Sequence, residues 1–123
     1  YISDCGLLCA KKEIDASDIL YKNSELDDFK GGMVENYVNQ ILLSNGYTSY
    51  YWESDREAEI DFIIQRQGKI IPIQVKAAEN VKAKSLKIYT KLFEPEYSIK
   101  LSEKNFGFEN SIKTVPLYAA FLI

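Results

Sequence analysis

The sequence predicts an α/β fold in which helices pack against a central sheet. Three observations support this prediction: an amphipathic helical pattern after Gly31, three strand-like runs between residues 48 and 76, and a second helical segment followed by another strand. Helices and strands in this order form layers around one core. With 123 residues, 46% of them hydrophobic, the chain has room for one such domain and too little for two.

The first elements lie in and after a polar stretch. Residues 9–30 predict a loop with one short helix around DASDILYK. From Gly31 onwards, apolar residues recur at helical spacing, which predicts an amphipathic helix of about four turns. Its apolar stripe comprises Val34, Tyr37, Val38, Ile41 and Leu42. Asn45-Gly46 supplies a C-terminal stop.

The predicted strands follow this helix. Aromatic-rich residues 48–53 predict the first strand, and residues 59–65 and 70–76 predict two more. The later elements are a helix near 83–93 that ends before the Pro95 region, a strand at 97–102 and a short strand at 114–118. The rings of the first strand are able to stack on single-stranded bases, but alternation along a strand predicts that at least one belongs to the core. These rings are Tyr50, Tyr51 and Trp52.

Cysteine usage and hydropathy exclude several classes of protein. Cys5 and Cys9, in a chain without histidine, are too few ligands for a zinc site and too few thiols for a disulfide framework. A nucleophilic cysteine would also need a base. The apolar run YAAFLI is far shorter than the ~20 residues of a membrane span, and no signal segment opens the chain. We expect a cytoplasmic protein with reduced thiols and, because YISDCGLL resembles the middle of a fold, a longer parent chain.

The charges are unevenly distributed along the chain. The net charge of −3 argues against a general nucleic-acid binder, yet residues 1–60 carry 12 acidic and 5 basic side chains and residues 61–123 carry 6 and 10. The basic excess is greatest in residues 76–91, whose lysines are Lys76, Lys82, Lys84, Lys87 and Lys91. A local basic patch is able to bind a phosphate backbone, and the alternative is a solvated helix face.

Residues 59–76, EIDFIIQRQGKIIPIQVK, predict a hairpin with Gln67-Gly68 at its turn. With that turn, residues whose numbers sum to 135 face each other. One face is then wholly apolar and should be core, with Ile60, Phe62, Ile64, Ile71, Ile73 and Val75. The other face sets Asp61 opposite Gln74 and Glu59 opposite Lys76. This polar end is either a functional site or a cross-strand ion pair of Glu59 and Lys76, worth roughly 0.2–1 kcal/mol.

An acid followed a dozen residues later by a (D/E)-x-K triplet across a hairpin resembles the PD-(D/E)XK nuclease superfamily. Asp61 matches the strand aspartate, and Gln74-Val75-Lys76 matches the triplet with glutamine in place of the acid. Glu35 matches the acid that is frequent on the preceding helix. It also lies three residues before Val38, at the border of the apolar stripe.

A second resemblance covers nearly the whole chain. The blocks YISDCGLL, KGGMVENYV, YYWES, AEIDFII and KIIPIQVKA resemble the domain of unknown function that follows AAA+-type ATPase modules in many bacterial and archaeal proteins. This resemblance implies a restriction-endonuclease-like fold with a central mixed sheet, and an ATPase module upstream. We expect residues 1–30 to connect to, and pack on, a nuclease-like domain at 31–123. No G-x-x-x-x-G-K-[ST] motif is present, so we expect no ATP site in this chain.

The nuclease resemblance implies metal-dependent hydrolysis of DNA. Glu35, Asp61 and Gln74 would hold Mg²⁺ or Mn²⁺, and Asp61, Gln74 and Lys76 would be catalytic, with Lys76 orienting the water or stabilising negative charge. Glu59 would lie behind the metal ligands as an outer-shell residue or would form a salt bridge with Lys76. The residues expected to contact DNA are Lys82, Lys84, Lys87 and Lys91. Because Gln74 brings no charge, the alternative is an inactive nuclease-fold domain that binds DNA or docks a protein.

Overall fold

The fold is α/β, with a mixed six-stranded sheet flanked by helices, as the sequence predicts. The computed structural model describes residues 1–20, 26–55, 58–76 and 84–123. The helices are α1 (Cys5–Lys11), α2 (Ala16–Leu20), α3 (Asp27–Ser44), α4 (Lys84–Phe93) and a C-terminal 3₁₀ helix (Leu117–Leu122). The strands are β1 (Tyr50–Glu53), β2 (Glu59–Arg66), β3 (Lys69–Val75), β4 (Ser98–Ser102), β5 (Gly107–Glu109) and β6 (Ile112–Pro116).

The strands lie in the order β1-β2-β3-β4-β6-β5. β1, β2 and β3 are antiparallel neighbours, whereas β4 runs parallel to both β3 and β6. Parallel neighbours need a crossover connection, and α4 lies between β3 and β4 in the chain. The carboxyl ends of β3 and β4 therefore meet at the same edge of the sheet.

The β2–β3 hairpin has the predicted turn and register. Gln67 and Gly68 both have positive φ, 52° and 77°, as a two-residue type I′ turn requires. Phe62 pairs with Ile73 and Ile64 pairs with Ile71, so the partners' numbers sum to 135. The register of this hairpin is therefore confirmed over its paired length.

One prediction about the core face is wrong, because β2 contains a bulge. Along β1, Tyr50 pairs with Ile63 and Trp52 pairs with Ile60, so two residues of β2 oppose Tyr51 alone. The extra residue breaks the alternation, and Ile60 does not join Phe62. It packs instead in a second cluster with two buried residues of α4, Leu86 and Tyr89, and with Trp52 of β1.

The main core lies between the sheet and α3. The other five residues of the predicted apolar face are buried in it. Of the predicted stripe of α3, Val38 and Leu42 are buried in the same core and the other three residues are half-buried against it. The hairpin contributes Phe62, Ile64, Ile71, Ile73 and Val75, and the helix contributes Val34, Tyr37, Val38, Ile41 and Leu42. Helix α3 ends as predicted, with Asn45 at its C-cap and Gly46 at a φ of 80°.

Several local predictions differ from the structure. Helix α3 begins at Asp27 because two acidic residues, Asp27 and Asp28, favour a helix N-terminus there, and Gly31 does not interrupt it. Helix α1, strand β5 and the 3₁₀ helix were not predicted, and β6 covers 112–116 where 114–118 was expected. Asp4 caps α1 by accepting a hydrogen bond from the Leu7 N–H at 3.0 Å. In the described part of the chain, no helix is long and apolar enough to cross a membrane.

Candidate functional site

The Asp61 carboxylate lies at the open end of the β2–β3 hairpin. The backbone pairing of the two strands reaches as far as Phe62 and Ile73. Beyond that point, Oδ2 of Asp61 accepts the Val75 N–H at 2.6 Å and the Gln74 Nε2–H at 3.0 Å. A side chain therefore joins the two strands at the end where the bulge has displaced β2. The hairpin register predicted that Asp61 and Gln74 lie opposite each other, and their hydrogen bond confirms it.

Gln74 is the most deeply buried polar side chain of this site, with 2% of its surface exposed. Its Nε2 donates to Asp61, while its Oε1 is buried without a hydrogen-bond partner among the residues described. Buried polar atoms nearly always have a partner, and leaving one unsatisfied costs about 1–3 kcal/mol. An amide oxygen is also a ligand that hard cations accept. Because its amide donates to Asp61, Gln74 directs this oxygen away from the carboxylate, and binding one cation together with Asp61 would require the amide to rotate.

Glu35 lies on α3 and belongs to the same electrostatic cluster. Burial raises the pKa of Glu35, and the negative charges of Asp61 and Glu59 raise it further, while the charge of Lys76 lowers it. The Tyr1 hydroxyl donates to Oε2 of Glu35 at 3.4 Å. Sequence reasoning gave Tyr1 no role in the site, because Tyr1 reaches Glu35 only through the fold.

Burial also raises the pKa of Asp61. Hydrogen bonding from the Val75 N–H, the positive charge of Lys76 and the Gln74 amide oppose that shift. Burial therefore disfavours the charged form of Asp61 by more than its present neighbours stabilise that form. A cation at this position would offset the remaining cost of the charge.

Lys76 and Glu59 do not form the ion pair that spacing alone allowed. Lys76 is half-buried and Glu59 is exposed, and among the residues described no salt bridge joins them. The Lys76 N–H donates to the carbonyl of Leu101 at 2.9 Å, which fixes the end of β3 against β4. The ammonium group of Lys76 instead acts on Glu35 and Asp61, whose pKa values it lowers.

The lysines of α4 form one exposed face. Lys84, Lys87 and Lys91 are exposed, whereas Leu86 and Tyr89 of the same helix are buried against the sheet. Lys82 lies outside the described residues. The exposed face therefore carries three of the four lysines expected to bind DNA, and its charge is available to a partner in solution.

Lys100 is a further basic residue that sequence reasoning missed. It lies on β4, where its Cα is the partner of the Gln74 Cα in the parallel pairing with β3. Burial lowers the pKa of Lys100, and the charges of Lys104 and Lys76 lower it further. A lysine between Ile99 and Leu101 in a predicted strand was the available sign, but only the β3–β4 register reveals its neighbour.

The acidic side chains are few for a metal site. In the ranges that the structure describes, no three His, Cys, Asp or Glu side chains are grouped so that they could hold a metal ion. A cation beside Asp61 would therefore depend on the Gln74 amide oxygen as well as on carboxylates. Such a set of ligands carries less negative charge than three carboxylates would.

The fold and this site define an α/β domain with a polar cluster at the open end of its central hairpin. Residues 30–120 match the family model described as domain of unknown function DUF4143, and the chain belongs to this family. No curated protein and no solved structure gives a significant match to the chain.

Proposed function

We propose that the chain is a PD-(D/E)XK nuclease-like domain with a restriction-endonuclease-like fold. It would hydrolyse DNA phosphodiesters in the cytoplasm, with Mg²⁺ or Mn²⁺, under the control of an AAA+-type ATPase module upstream in the full-length protein. The observation that carries the proposal is the Asp61 carboxylate held between two strands beside the unpartnered Oε1 of Gln74. Lys76, two residues after Gln74, completes the motif.

The metal would be held by Asp61, Gln74 and Glu35. Asp61 is fixed by the Val75 N–H. The Gln74 amide now donates to Asp61 and would rotate to bring its oxygen to the metal. Glu35 approaches from α3 and shares their electrostatic environment. When bound, Mg²⁺ supplies neutralisation of the phosphate charge and activation of a water.

Lys76 would stabilise the negative charge that develops on the phosphate. Its positive charge lowers the pKa of Asp61 and of Glu35, and the same charge would favour a phosphate bound beside them. The exposed lysines of α4 would bind neighbouring phosphates of the DNA backbone. They would set affinity and position without selecting a sequence.

A second function is favoured by Gln74. Glutamine supplies no charge, and the described residues offer no group of three acidic or other strong ligands. An inactive nuclease-fold domain would keep Asp61 and Gln74 as a hydrogen-bonded brace of the hairpin. It would then serve the ATPase by binding DNA or by docking a protein.

Titration with Mg²⁺ and Mn²⁺ by calorimetry, followed by a DNA cleavage assay, tests these two functions. We expect metal binding at millimolar concentration or below, and cleavage that is lost in Asp61→Ala and Lys76→Ala. Matched controls are Glu109→Ala and Lys113→Ala, which remove an acid and a lysine exposed elsewhere on the sheet. No metal binding by the parent chain would leave the inactive domain as the better function. Cleavage by Lys76→Ala at the parent's rate would refute the site assignment.

A further inference from the structure

Both cysteines of the chain contact its one methionine between α1 and α3. The sequence contains two cysteines and one methionine, and they are separated by up to 28 positions. Sγ of Cys9 lies 3.9 Å from Sδ of Met33, and Sγ of Cys5 lies 3.8 Å from the carbonyl oxygen of the same methionine. Met33 is therefore the common neighbour of both thiols.

Local structure explains why both thiols face α3. Cys5 and Cys9 are four residues apart on α1, so they share one face of that helix. Helix α1 packs against α3, which carries Met33. Both cysteines are half-buried and free, so they are shielded by the helix contact and remain within reach of a small ion.

We propose that Cys5, Cys9 and Met33 form a binding site for a soft monovalent cation, Cu⁺. Thiolate and thioether sulfurs are the ligands that Cu⁺ prefers. Two sulfurs that each lie ~2.3 Å from a shared tetrahedral ion are about 3.8 Å apart. The Cys9–Met33 sulfur separation of 3.9 Å matches that geometry. Cys5, whose Sγ lies against the Met33 carbonyl oxygen, would reach the ion by turning its side chain.

The neighbouring side chains act on the Cys5 thiol in opposite directions. Asn36 Nδ2 donates to Cys5 Sγ at 3.6 Å, and a hydrogen bond of this kind stabilises a thiolate. Gln40 Oε1 accepts the Cys5 thiol proton at 3.1 Å, so Cys5 must give up that hydrogen bond when it binds the ion. Binding of Cu⁺ by both thiols releases two protons and leaves the oxidation state of the copper unchanged. The Asn36 Nδ2–H is still able to donate to the Cys5 sulfur after the thiol has lost its proton.

The donor set selects Cu⁺ over Zn²⁺. Structural zinc sites take four ligands from cysteine, histidine and carboxylates, and the described residues contain no group of three such side chains. The chain has no histidine at all. Two thiolates and a thioether suit Cu⁺, which accepts fewer ligands than Zn²⁺ does and prefers softer ones. This inference does not depend on nuclease activity.

Anaerobic titration with Cu⁺ delivered from the coloured chelator bicinchoninate tests the site. We expect the reduced parent chain to withdraw one equivalent of Cu⁺ from the chelator. Cys5→Ser and Cys9→Ser should each lose this uptake, and Met33→Leu should weaken it. The matched control is Ala10→Ser, which places serine at an exposed position next to Cys9 and should behave as the parent does. Circular dichroism of each variant checks that the helices are retained.

A second measurement needs no variant. One equivalent of Cu⁺ should protect both cysteines of the parent chain from alkylation by iodoacetamide, and the same amount of Zn²⁺ should not. Equal protection by Zn²⁺ would overturn the selectivity for Cu⁺. A chelator that keeps all its copper, or uptake by Cys5→Ser equal to that of the parent, would overturn the site itself.

Discussion

Gln74 donates from Nε2 to Oδ2 of Asp61 at 3.0 Å, and this bond fixes which way its amide points. The reverse orientation would bring the amide oxygen against a carboxylate oxygen, so Oε1 must face away from Asp61. That oxygen is buried without a partner in the described part of the chain. Asp61 therefore holds the Gln74 amide with its oxygen unsatisfied, and this oxygen would join Asp61 in binding a cation only after the amide rotates.

Gln74→Glu tests this relationship. The substitution removes the donor and brings two carboxylates together, so the metal-free chain should unfold at a lower temperature. A third negative ligand should also raise Mg²⁺ affinity, so added Mg²⁺ should restore more stability to this variant than to the parent. Thermal unfolding with and without Mg²⁺, combined with calorimetry, measures both effects.

The control for this change is Gln65→Glu, which alters charge equally at an exposed position of the same hairpin. If Gln74→Glu gains no more from Mg²⁺ than Gln65→Glu does, Gln74 is not a ligand. If the parent is a weakened nuclease, DNA cleavage should rise together with metal affinity. Tighter metal binding with uncut DNA would instead support the inactive domain.

The raised pKa values of Asp61 and Glu35 predict a dependence of stability on pH. The folded chain binds these protons more tightly than the unfolded chain, whose carboxylates titrate near 3.8 and 4.5. This contribution to stability is present below the unfolded values and is lost as pH rises through the raised values. We expect the free energy of unfolding to fall over that window in urea titrations without metal.

Asp61→Asn should flatten this dependence and stabilise the chain at neutral pH, because the buried charge is removed while an oxygen remains to accept the Val75 N–H. Asp55→Asn is the control, since Asp55 is exposed after β1. An Asp61→Asn curve parallel to that of the parent would show that Asp61 does not hold its proton more tightly in the folded chain.

The α4 lysines should give DNA binding a steep dependence on salt. For duplex DNA, each neutralised phosphate contributes about 0.9 to the slope of log affinity against log salt. Replacing both Lys84 and Lys91 by alanine should therefore lower that slope by roughly 1.8 if each contacts a phosphate. Fluorescence anisotropy at several salt concentrations measures it. Binding that is insensitive to salt would exclude this face as the DNA contact.

Lys100 should contribute to the same binding from the sheet side. Its position beside Gln74 predicts that Lys100→Ala weakens DNA binding and lowers the salt slope by about 0.9, the share of one phosphate. Lys113→Ala is the control because Lys113 pairs with Ile99, whose side chain faces the α3 core, and so lies on the opposite side of the sheet. Equal effects of the two substitutions would show that Lys100 acts only through net charge.

The bulge in β2 predicts energetic coupling between Ile60 and Leu86. Ile60→Val should cost about 0.5–1.5 kcal/mol and Leu86→Ala about 2–5 kcal/mol, because both residues are fully buried. Since they are in contact, the double variant should deviate from additivity by roughly 0.5–3 kcal/mol. Ile64→Val with Leu86→Ala should be additive within about 0.5 kcal/mol. Chemical denaturation of the single and double variants of both pairs measures the coupling energies and decides whether Ile60 or Ile64 faces α4.

The hairpin was predictable because its turn chemistry is local. Gln67-Gly68 adopts the positive φ angles that fix the register, and this register brought Asp61 to Gln74. The bulge was not predictable, since Ile60-Asp61-Phe62 alternates apolar and polar residues as a regular strand does. That alternation placed Ile60 beside Phe62, and only the pairing with β1 reveals the extra residue of β2.

The parts of the site that depend on distant pairing were also hidden in the sequence. Lys100 reaches the site through the parallel pairing of β3 with β4, which no turn encodes. Tyr1 reaches Glu35 across a separation of 34 residues. Helix α1 depends on an aspartate cap and on packing against α3, so its short, mixed sequence gave no periodic pattern.

The extra residue of β2 divides the strand into two parts: the end at Asp61, which carries the polar cluster, and the segment from Phe62 to the turn, which forms the core. Because of this bulge, either part is able to change in evolution without altering the other. A length change in a regular strand would turn every later side chain to the other side of the sheet. Here the irregularity lies next to Asp61, on the far side of the paired segment from the Gln67-Gly68 turn. We therefore expect relatives to tolerate changes of length before Asp61 while Asp61 itself and the segment from Phe62 to the turn keep their pattern.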